Sequence, residues 1–152
     1  AFPARLERMR ERDQRGFLVP MVAACAAEAA LANDRIEAAL LAVAYGEHVA
    51  NESGELSYLG TLRHLHGRAL EAGGQRDADM ALTEHRAALD ICRQQGRHWT
   101  GLLPAERSAR LLAERGERSQ AIDVLTTSLA TFPDDLHRPR IESARGLLTE
   151  LS

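Results

Sequence analysis

The chain has 152 residues and a formal net charge of −3, and this length suits one domain that buries roughly two-thirds of its unfolded surface. All 19 basic residues are arginine, which excludes a Schiff-base lysine and the lysine of a phosphate-binding loop. The slightly negative charge gives no general attraction to nucleic acid or to an anionic membrane.

Composition favours helices and a bacterial, cytoplasmic protein. Alanine and leucine dominate, while aromatic and β-branched residues are sparse. Arginine without lysine, together with the many alanines, indicates a GC-rich bacterial genome. Two distant cysteines make no disulfide framework. The longest apolar run is too short to span a bilayer and follows no basic head with a cleavage site, so we expect a cytoplasmic location.

An amphipathic pattern at residues 2–15 predicts the first helix. Phe2, Leu6 and Met9 recur at helical spacing, while arginine and acidic residues alternate on the other faces. This alternation is typical of a solvated helix face with ion pairs one turn apart, in preference to a phosphate-binding surface. The chain starts without methionine, so we expect it to be a piece of a longer protein.

Residues 17–50 predict the first helix pair. Its first helix, Phe17–Ala32, carries only one charged residue, Glu28, and its second helix is Arg35–Ala50. A helix that is apolar on nearly every side needs cover on nearly every side. We therefore expect the N-terminal third to form a homodimer contact or an interface with an upstream domain.

Two further pairs and a terminal helix complete the predicted domain, 1–152. Residues 56–95 hold two helices separated at Gly73, and residues 100–132 hold two helices separated at Gly116. An amphipathic helix at residues 138–151 then caps the last pair, because its outer side is polar.

Small residues recur at one position of the second helix in each pair. Ala38, Ala81 and Ala121 align at spacings of 43 and 40 residues. In this alignment Ala42 takes the place of Leu125, one turn later. Self-similarity at such a period is typical of a stacked helical array.

The stretch Leu102–Pro133, with small residues at the helix contact, a glycine turn and a closing proline, resembles a tetratricopeptide repeat. The predicted repeats also resemble the C-terminal helical arrays of bacterial multidomain ATPases, cyclases and transcription regulators. This resemblance covers Ser57–Ser152. This resemblance implies an all-α, tetratricopeptide-like superhelix of about seven antiparallel helices, which serves as a scaffold for partners and rarely as a catalyst. The segments that carry the resemblance are Cys92–Gly96, Ala109–Gly116 and Ala144–Leu151.

No set of residues in the sequence predicts a catalytic or metal site. His64 and His66 point about 200° apart around a helix, so they cannot ligate one ion as histidines one turn apart do. No cysteine or carboxylate completes a ligand set, and no serine has a nucleophile-elbow context. His85 lies on an apolar stripe, where a core or groove histidine is expected in preference to a catalytic one. We predict no enzyme activity, no metal and no cofactor.

The cysteines and the single tryptophan are interpreted as packing residues. Cys25 lies among alanines and Cys92 lies on an apolar stripe, so we expect two buried, unpaired and unreactive thiols. Trp99 precedes a predicted helix, and we expect a packing wedge in preference to a recognition residue.

Five polar residues are predicted to line a partner-binding groove. In arrays of this kind the first helix of each pair lines the concave side, which places residues 56–73 beside residues 102–115. With the apolar stripes turned into the stack, the side chains left facing the groove are those of His64, Arg68, Glu71, Glu106 and Arg110. Mixed charges on rigid helices suit an extended or helical peptide. The alternative is that these charges only pair with one another between helices.

Two classes of function follow. The first is a non-catalytic interaction or regulatory module that binds a peptide or partner domain in a concave groove, without nucleic acid or membrane. The second is a small-molecule-sensing domain of a bacterial signalling or transcription regulator. Mixed charges in the groove favour a peptide and clustered aromatic residues favour an apolar ligand, so the few, scattered aromatic residues favour the first class. A small helical enzyme is a third class, but the convergent ligands that it requires are missing.

Overall fold

The computed structural model describes residues 18–73 and 77–152. The helix predicted at residues 2–15 lies outside these ranges. The all-α class is confirmed for the described residues, which contain no β-strand and form seven helices: α1 (Leu18–Leu31), α2 (Ile36–Ser53), α3 (Leu59–Ala72), α4 (Ala78–Gln94), α5 (His98–Glu114), α6 (Arg118–Leu129) and α7 (Pro139–Leu151).

The same turn ends three of these helices, at Asp34, Gly96 and Gly116. The φ angles there are positive, at 53°, 66° and 78°. The N–H of the next residue donates to the carbonyl five residues earlier, at 2.9, 2.8 and 2.9 Å, and the N–H of the turn residue donates to the carbonyl three residues earlier. These two bonds define the Schellman motif, which satisfies carbonyls that a helix end leaves open. Asp34 is one of the few residue types besides glycine that adopt this backbone conformation.

These turns correct the predicted register of α2. Five residues after Asp34 and Gly116 lie Ala39 and Ala121, and both are fully buried. Ala39 is therefore the equivalent of Ala121, whereas Ala38, which the spacing had aligned, is only half-buried. The alignment of Ala38 with Ala121 was based on the number of residues between them. Because the helices differ in length, this alignment is displaced by one residue. One turn later, the buried equivalent of Leu125 is Val43 in place of Ala42.

The chain divides into two compact units, one within residues 1–81 and one within residues 82–152. In the first unit α1, α2 and α3 each contact the other two. A Cβ atom built on Gly46 of α2 would lie 2.7 Å from the Cβ atom of Ala23 on α1 and 3.0 Å from Cδ2 of Leu62 on α3. The three helices therefore meet where Gly46 leaves room for them.

In the second unit α5, α6 and α7 contact one another in the same pattern. Their contact buries large side chains completely, including Leu102, Leu125 and Ile141. The C-terminal part of α4 belongs to this unit too, and a Cβ atom built on Gly101 would lie 3.3 Å from the Cβ atom of Cys92. Each unit thus contains a first and a third helix in contact, with a second helix packed against both.

Helix α1 is buried on one side and exposed on the other. Its buried side carries Val19, Ala23 and Ala27, which belong to the side that contacts α2 and α3. Leu18 and Cys25 are exposed. Within the described ranges, no helix combines the length and hydrophobicity that crossing a bilayer requires.

A candidate partner-binding surface on the second unit

One side of α5 presents a stripe of functional interest. Trp99, Leu103, Glu106 and Arg110 follow one another at helical spacing, so they lie on one side of the helix. Trp99 is 43% exposed and Leu103 is 37% exposed. Arg110 is exposed and Glu106 is half-buried. The neighbouring stripe of α5 is fully buried and carries Leu102, Ala105, Ala109 and Leu112.

The ring of Trp99 is held between two other side chains. Its centroid lies 6.3 Å from that of Phe132 with the rings at 78°, an edge-to-face pair. The guanidinium carbon of Arg140 on α7 lies 5.2 Å from the Trp99 ring centroid. Arg140 Nη1 also donates to the Trp99 carbonyl oxygen, at 3.3 Å. Such a cation–π contact contributes about 0.5–1 kcal/mol at an exposed site, enough to bias the ring toward one position.

A second contact joins α5 to α7 further along. Ser143 Oγ donates to Glu106 Oε2 at 2.9 Å. The order of contacts, Trp99 with Arg140 and then Glu106 with Ser143, shows that α5 and α7 run parallel. One turn beyond Ser143, a Cβ atom built on Gly146 would meet nothing within 4 Å. The stripe is therefore open to solvent in this direction.

The loop between α6 and α7 is fixed by charged groups. His137 Nδ1 lies 2.9 Å from Glu142 Oε1, and Arg145 Nη1 lies 3.2 Å from the same oxygen. The hydrogen bond from His137 is the main cause that lowers the pKa of Glu142, and the charges of His137 and Arg145 add to it. This loop also carries Phe132, whose ring packs against Trp99. Arg145 also donates to the loop carbonyl oxygens of Pro133, at 3.1 Å, and Leu136, at 3.2 Å.

We name this region the α5–α7 surface. It consists of the side chains that make the contacts between Trp99, Phe132, Arg140, Glu106 and Ser143, together with Leu103 and Arg110 of the stripe. The predicted groove residues Glu106 and Arg110 both belong to it. Arg110 makes no ion pair or hydrogen bond with any residue in the described ranges. The members of the α5–α7 surface are Trp99, Leu103, Glu106, Arg110, Phe132, Arg140 and Ser143.

The other three predicted groove residues lie together on α3 in the first unit. His64 is buried, at 5% exposed, and Glu71 is half-buried. Arg68 Nη1 lies 2.6 Å from Glu28 Oε1 on α1. Glu28 is not one of the predicted groove residues, so Arg68 pairs with a residue outside that set, on another helix of its own unit.

The exposure of the two cysteines differs from the prediction. Cys92 is buried, and desolvation raises its pKa despite the opposing charge of Arg97. Cys25 is exposed, so the prediction of a buried thiol there is wrong. The physical reason is that α1 is apolar on both sides but contacts α2 and α3 with only one of them. Alanine neighbours in sequence therefore do not place Cys25 in the core.

Other chemically active residues do not converge in the described ranges. No group of three histidine, cysteine, aspartate or glutamate side chains is arranged there to hold a metal ion. His85 is fully buried. Ser108 Oγ is also buried, and it has no hydrogen-bond partner among the described residues.

The sequence contained part of the signal for this surface. Helix α5 begins at His98, so Trp99 lies in its first turn, whereas the predicted helix began after it. Pro104, inside the helix, made a later start plausible because proline is favoured in a first turn. An earlier start would have aligned Trp99 with Arg110 on one stripe. Arg140, Ser143 and Phe132 had no such local signal.

Three comparisons were made, with family models, with curated proteins and with solved structures, and none found a match.

Proposed function

We propose that the chain is a non-catalytic interaction module that binds a protein segment or partner domain on the α5–α7 surface. The observation that carries this proposal is the half-exposed ring of Trp99, held against Phe132 and Arg140. Tryptophan and arginine are enriched among the residues that dominate interface energies. A ring already fixed by its neighbours loses little conformational entropy on binding, which favours affinity.

The length and composition of the stripe favour a protein segment over a small molecule. From Trp99 to Arg110 the helix rises about 16 Å, at 1.5 Å per residue. One end of the stripe is apolar and the other is charged, which suits the alternating groups of an extended or helical peptide. A small ligand is normally enclosed in a concave pocket, whereas these side chains lie along an open helix side.

We also propose a tetratricopeptide-like superhelix for the whole chain, serving a bacterial, cytoplasmic regulator. Two features support this architecture. The same Schellman turn recurs at Asp34, Gly96 and Gly116. In each unit the first helix contacts both the second and the third, which is how helix pairs stack in such arrays.

Self-association or contact with an upstream domain through the N-terminal third is a second, independent proposal. Leu41 on α2 is 73% exposed and Leu18 on α1 is 39% exposed. Exposed large apolar side chains are common singly, so their effect has to be measured. Sedimentation over a 100-fold range of concentration, with Leu41→Glu as the variant, tests it. A chain that stays monomeric throughout contradicts self-association.

Selection from a phage-displayed library of random 12-residue peptides tests the main proposal. Selected peptides are synthesised, and their binding to the wild type and to Trp99→Ala is measured by calorimetry. We expect Trp99→Ala to weaken binding at least about 10-fold, as for residues that dominate an interface.

The matched control for this experiment is Met80→Ala, since Met80 is 50% exposed and lies on α4, outside the surface. Binding to this control is expected to stay within about twofold of the wild type. Circular dichroism shows whether both variants keep the helical fold. If no peptide is enriched, or if all enriched peptides bind Trp99→Ala as tightly as the wild type, the proposal is wrong.

A further inference from the structure

The charges on the α5–α7 surface specify the chemistry of its partner, and this inference rests on the proposed function. Two guanidinium groups lie on the surface without a carboxylate partner in the described ranges. Arg110 is exposed and makes no ion pair or hydrogen bond there. Arg140 stacks on Trp99 and donates to a carbonyl oxygen. The carboxylate of the stripe, Glu106, already accepts the hydroxyl of Ser143.

This pattern differs from the charge pairing in the first unit. There, Arg68 lies 2.6 Å from Glu28, so its charge is compensated by a neighbouring helix. The charge of Arg110, which has no ion-pair partner among the described residues, is complementary to an anion. A guanidinium binds a carboxylate with two parallel hydrogen bonds. The α5–α7 surface therefore offers an anion site at one end.

The distance between the apolar and cationic ends sets the spacing that a partner needs. From Leu103 to Arg110 the helix rises about 10 Å, at 1.5 Å per residue. This matches two turns of a helical partner or about three residues of an extended one. A bulky apolar side chain at one position can then contact Trp99 and Leu103 while a carboxylate reaches Arg110.

We propose that the α5–α7 surface binds an acidic, apolar protein segment, with a bulky apolar side chain against Trp99 and Leu103 and an aspartate or glutamate bound to Arg110. A single-stranded nucleic acid could also stack a base on Trp99 and place a phosphate near Arg110. The carboxylate of Glu106 between the two ends and the net charge of −3 oppose a polyanionic backbone. A peptide needs only one anionic group at this position.

The test uses the random 12-residue peptide library on the wild-type chain, followed by calorimetry with synthetic peptides. We expect the enriched peptides to share an aspartate or glutamate two helical turns, or three extended residues, from a large apolar residue. Arg110→Glu should weaken their binding at least about 10-fold. Replacing the acidic residue of the peptide with lysine should restore binding to Arg110→Glu and weaken binding to the wild type.

Two controls separate this effect from general charge. Arg35→Glu makes the same change in net charge in the first unit, where Arg35 is exposed, and it should leave binding within about twofold. A dT12 oligonucleotide is added as a competitor. If dT12 displaces the peptides and itself depends on Trp99 and Arg110, the surface belongs to nucleic acid and the inference is wrong.

The remaining outcomes distinguish the inference from the function on which it rests. If enriched peptides depend on Trp99 but lack acidic residues and bind Arg110→Glu unchanged, the partner chemistry is wrong and the interaction function stands. If no enriched peptide depends on Trp99, the proposed function itself is wrong.

Discussion

The two units of the chain share one arrangement of three helices and differ in what joins the first helix to the third. In the first unit an arginine and a glutamate form an ion pair between α1 and α3, Arg68 with Glu28. In the second unit a serine hydroxyl donates to the glutamate Glu106, and the arginine Arg110 makes no ion pair within the described ranges. Similar packing can therefore direct charges to internal pairing or leave them for a partner.

The two units also contain glycines in different surroundings. At Gly46 in the first unit there is no room for a Cβ atom, whereas Gly146 in the second unit lies beside open space. The glycine of the first unit is thus required by close packing. The glycine of the second unit only weakens its helix, since glycine costs about 0.5–1 kcal/mol relative to alanine inside a helix. Stability measurements on matched variants test this comparison.

The largest effect is expected from the equivalent core positions Leu125 and Val43. Leu125→Ala should lower the free energy of unfolding by about 2–5 kcal/mol, because it removes a fully buried side chain and leaves a cavity. Val43→Ala should cost less, since it removes one carbon fewer. Urea denaturation of each variant gives both values. A loss of stability for Val43→Ala that equals the loss for Leu125→Ala, or no loss for Leu125→Ala, would contradict this prediction.

The register of the repeat predicts a difference between two adjacent alanines. Ala39→Leu should overpack the contact between helices and cost about 1–3 kcal/mol, because Ala39 is fully buried. Ala121→Leu should cost a similar amount for the same reason. Ala38→Leu, at a half-buried position, serves as the control and should cost less than either. A larger loss for Ala38→Leu would restore the register that the spacing of alanines predicted.

The glycine comparison predicts effects of opposite sign. Gly46→Ala should destabilise the chain by about 1–3 kcal/mol, because its Cβ atom would lie within 2.7 Å of the Cβ atom of Ala23. Gly146→Ala should stabilise it by about 0.5–1 kcal/mol, through helix propensity alone. Thermal unfolding followed by circular dichroism reports both. Two shifts of the same sign would contradict this difference between the surroundings of Gly46 and Gly146.

The reaction rates of the two cysteines provide a comparison that does not depend on measuring stability. Cys25 is exposed and should react with a thiol reagent at the rate of a free thiol. Cys92 is buried with a raised pKa, so it should react slower by a factor on the order of 100, after local opening. Single-cysteine variants assign each rate. Slow labelling of Cys25 would show that something covers this side of α1.

Local sequence patterns predicted the helices well because each helix and turn depends on nearby residues. The break at Gly116 and the apolar stripe through Leu112 are local features, and the structure has both. The sequence did not predict which of the two apolar sides of α1 packs against α2 and α3. A helix that is apolar on all sides carries no information about which side is buried. The exposure of Cys25 was therefore unpredictable from its neighbours.

The candidate surface was half predictable for the same reason. Glu106 and Arg110 follow from the periodicity of α5, and Trp99 would have joined them had the helix start been placed correctly. Arg140 and Phe132 reach Trp99 only through tertiary packing, across about 40 and 30 residues of chain. No local pattern records such a contact. Charge pairing had the same limit, since nothing in the sequence distinguished Arg68, which forms an ion pair, from Arg110, which forms none with the residues that the structure describes.

The single tryptophan of the chain can itself report binding at the α5–α7 surface. A selected peptide, synthesised with phenylalanine in place of any tryptophan, is titrated while acrylamide quenching of Trp99 fluorescence is measured. If the α5–α7 surface is the binding site, the peptide should protect Trp99 from quenching and saturate with the Kd that calorimetry gives. Binding by calorimetry with unchanged quenching of Trp99 would contradict the claim.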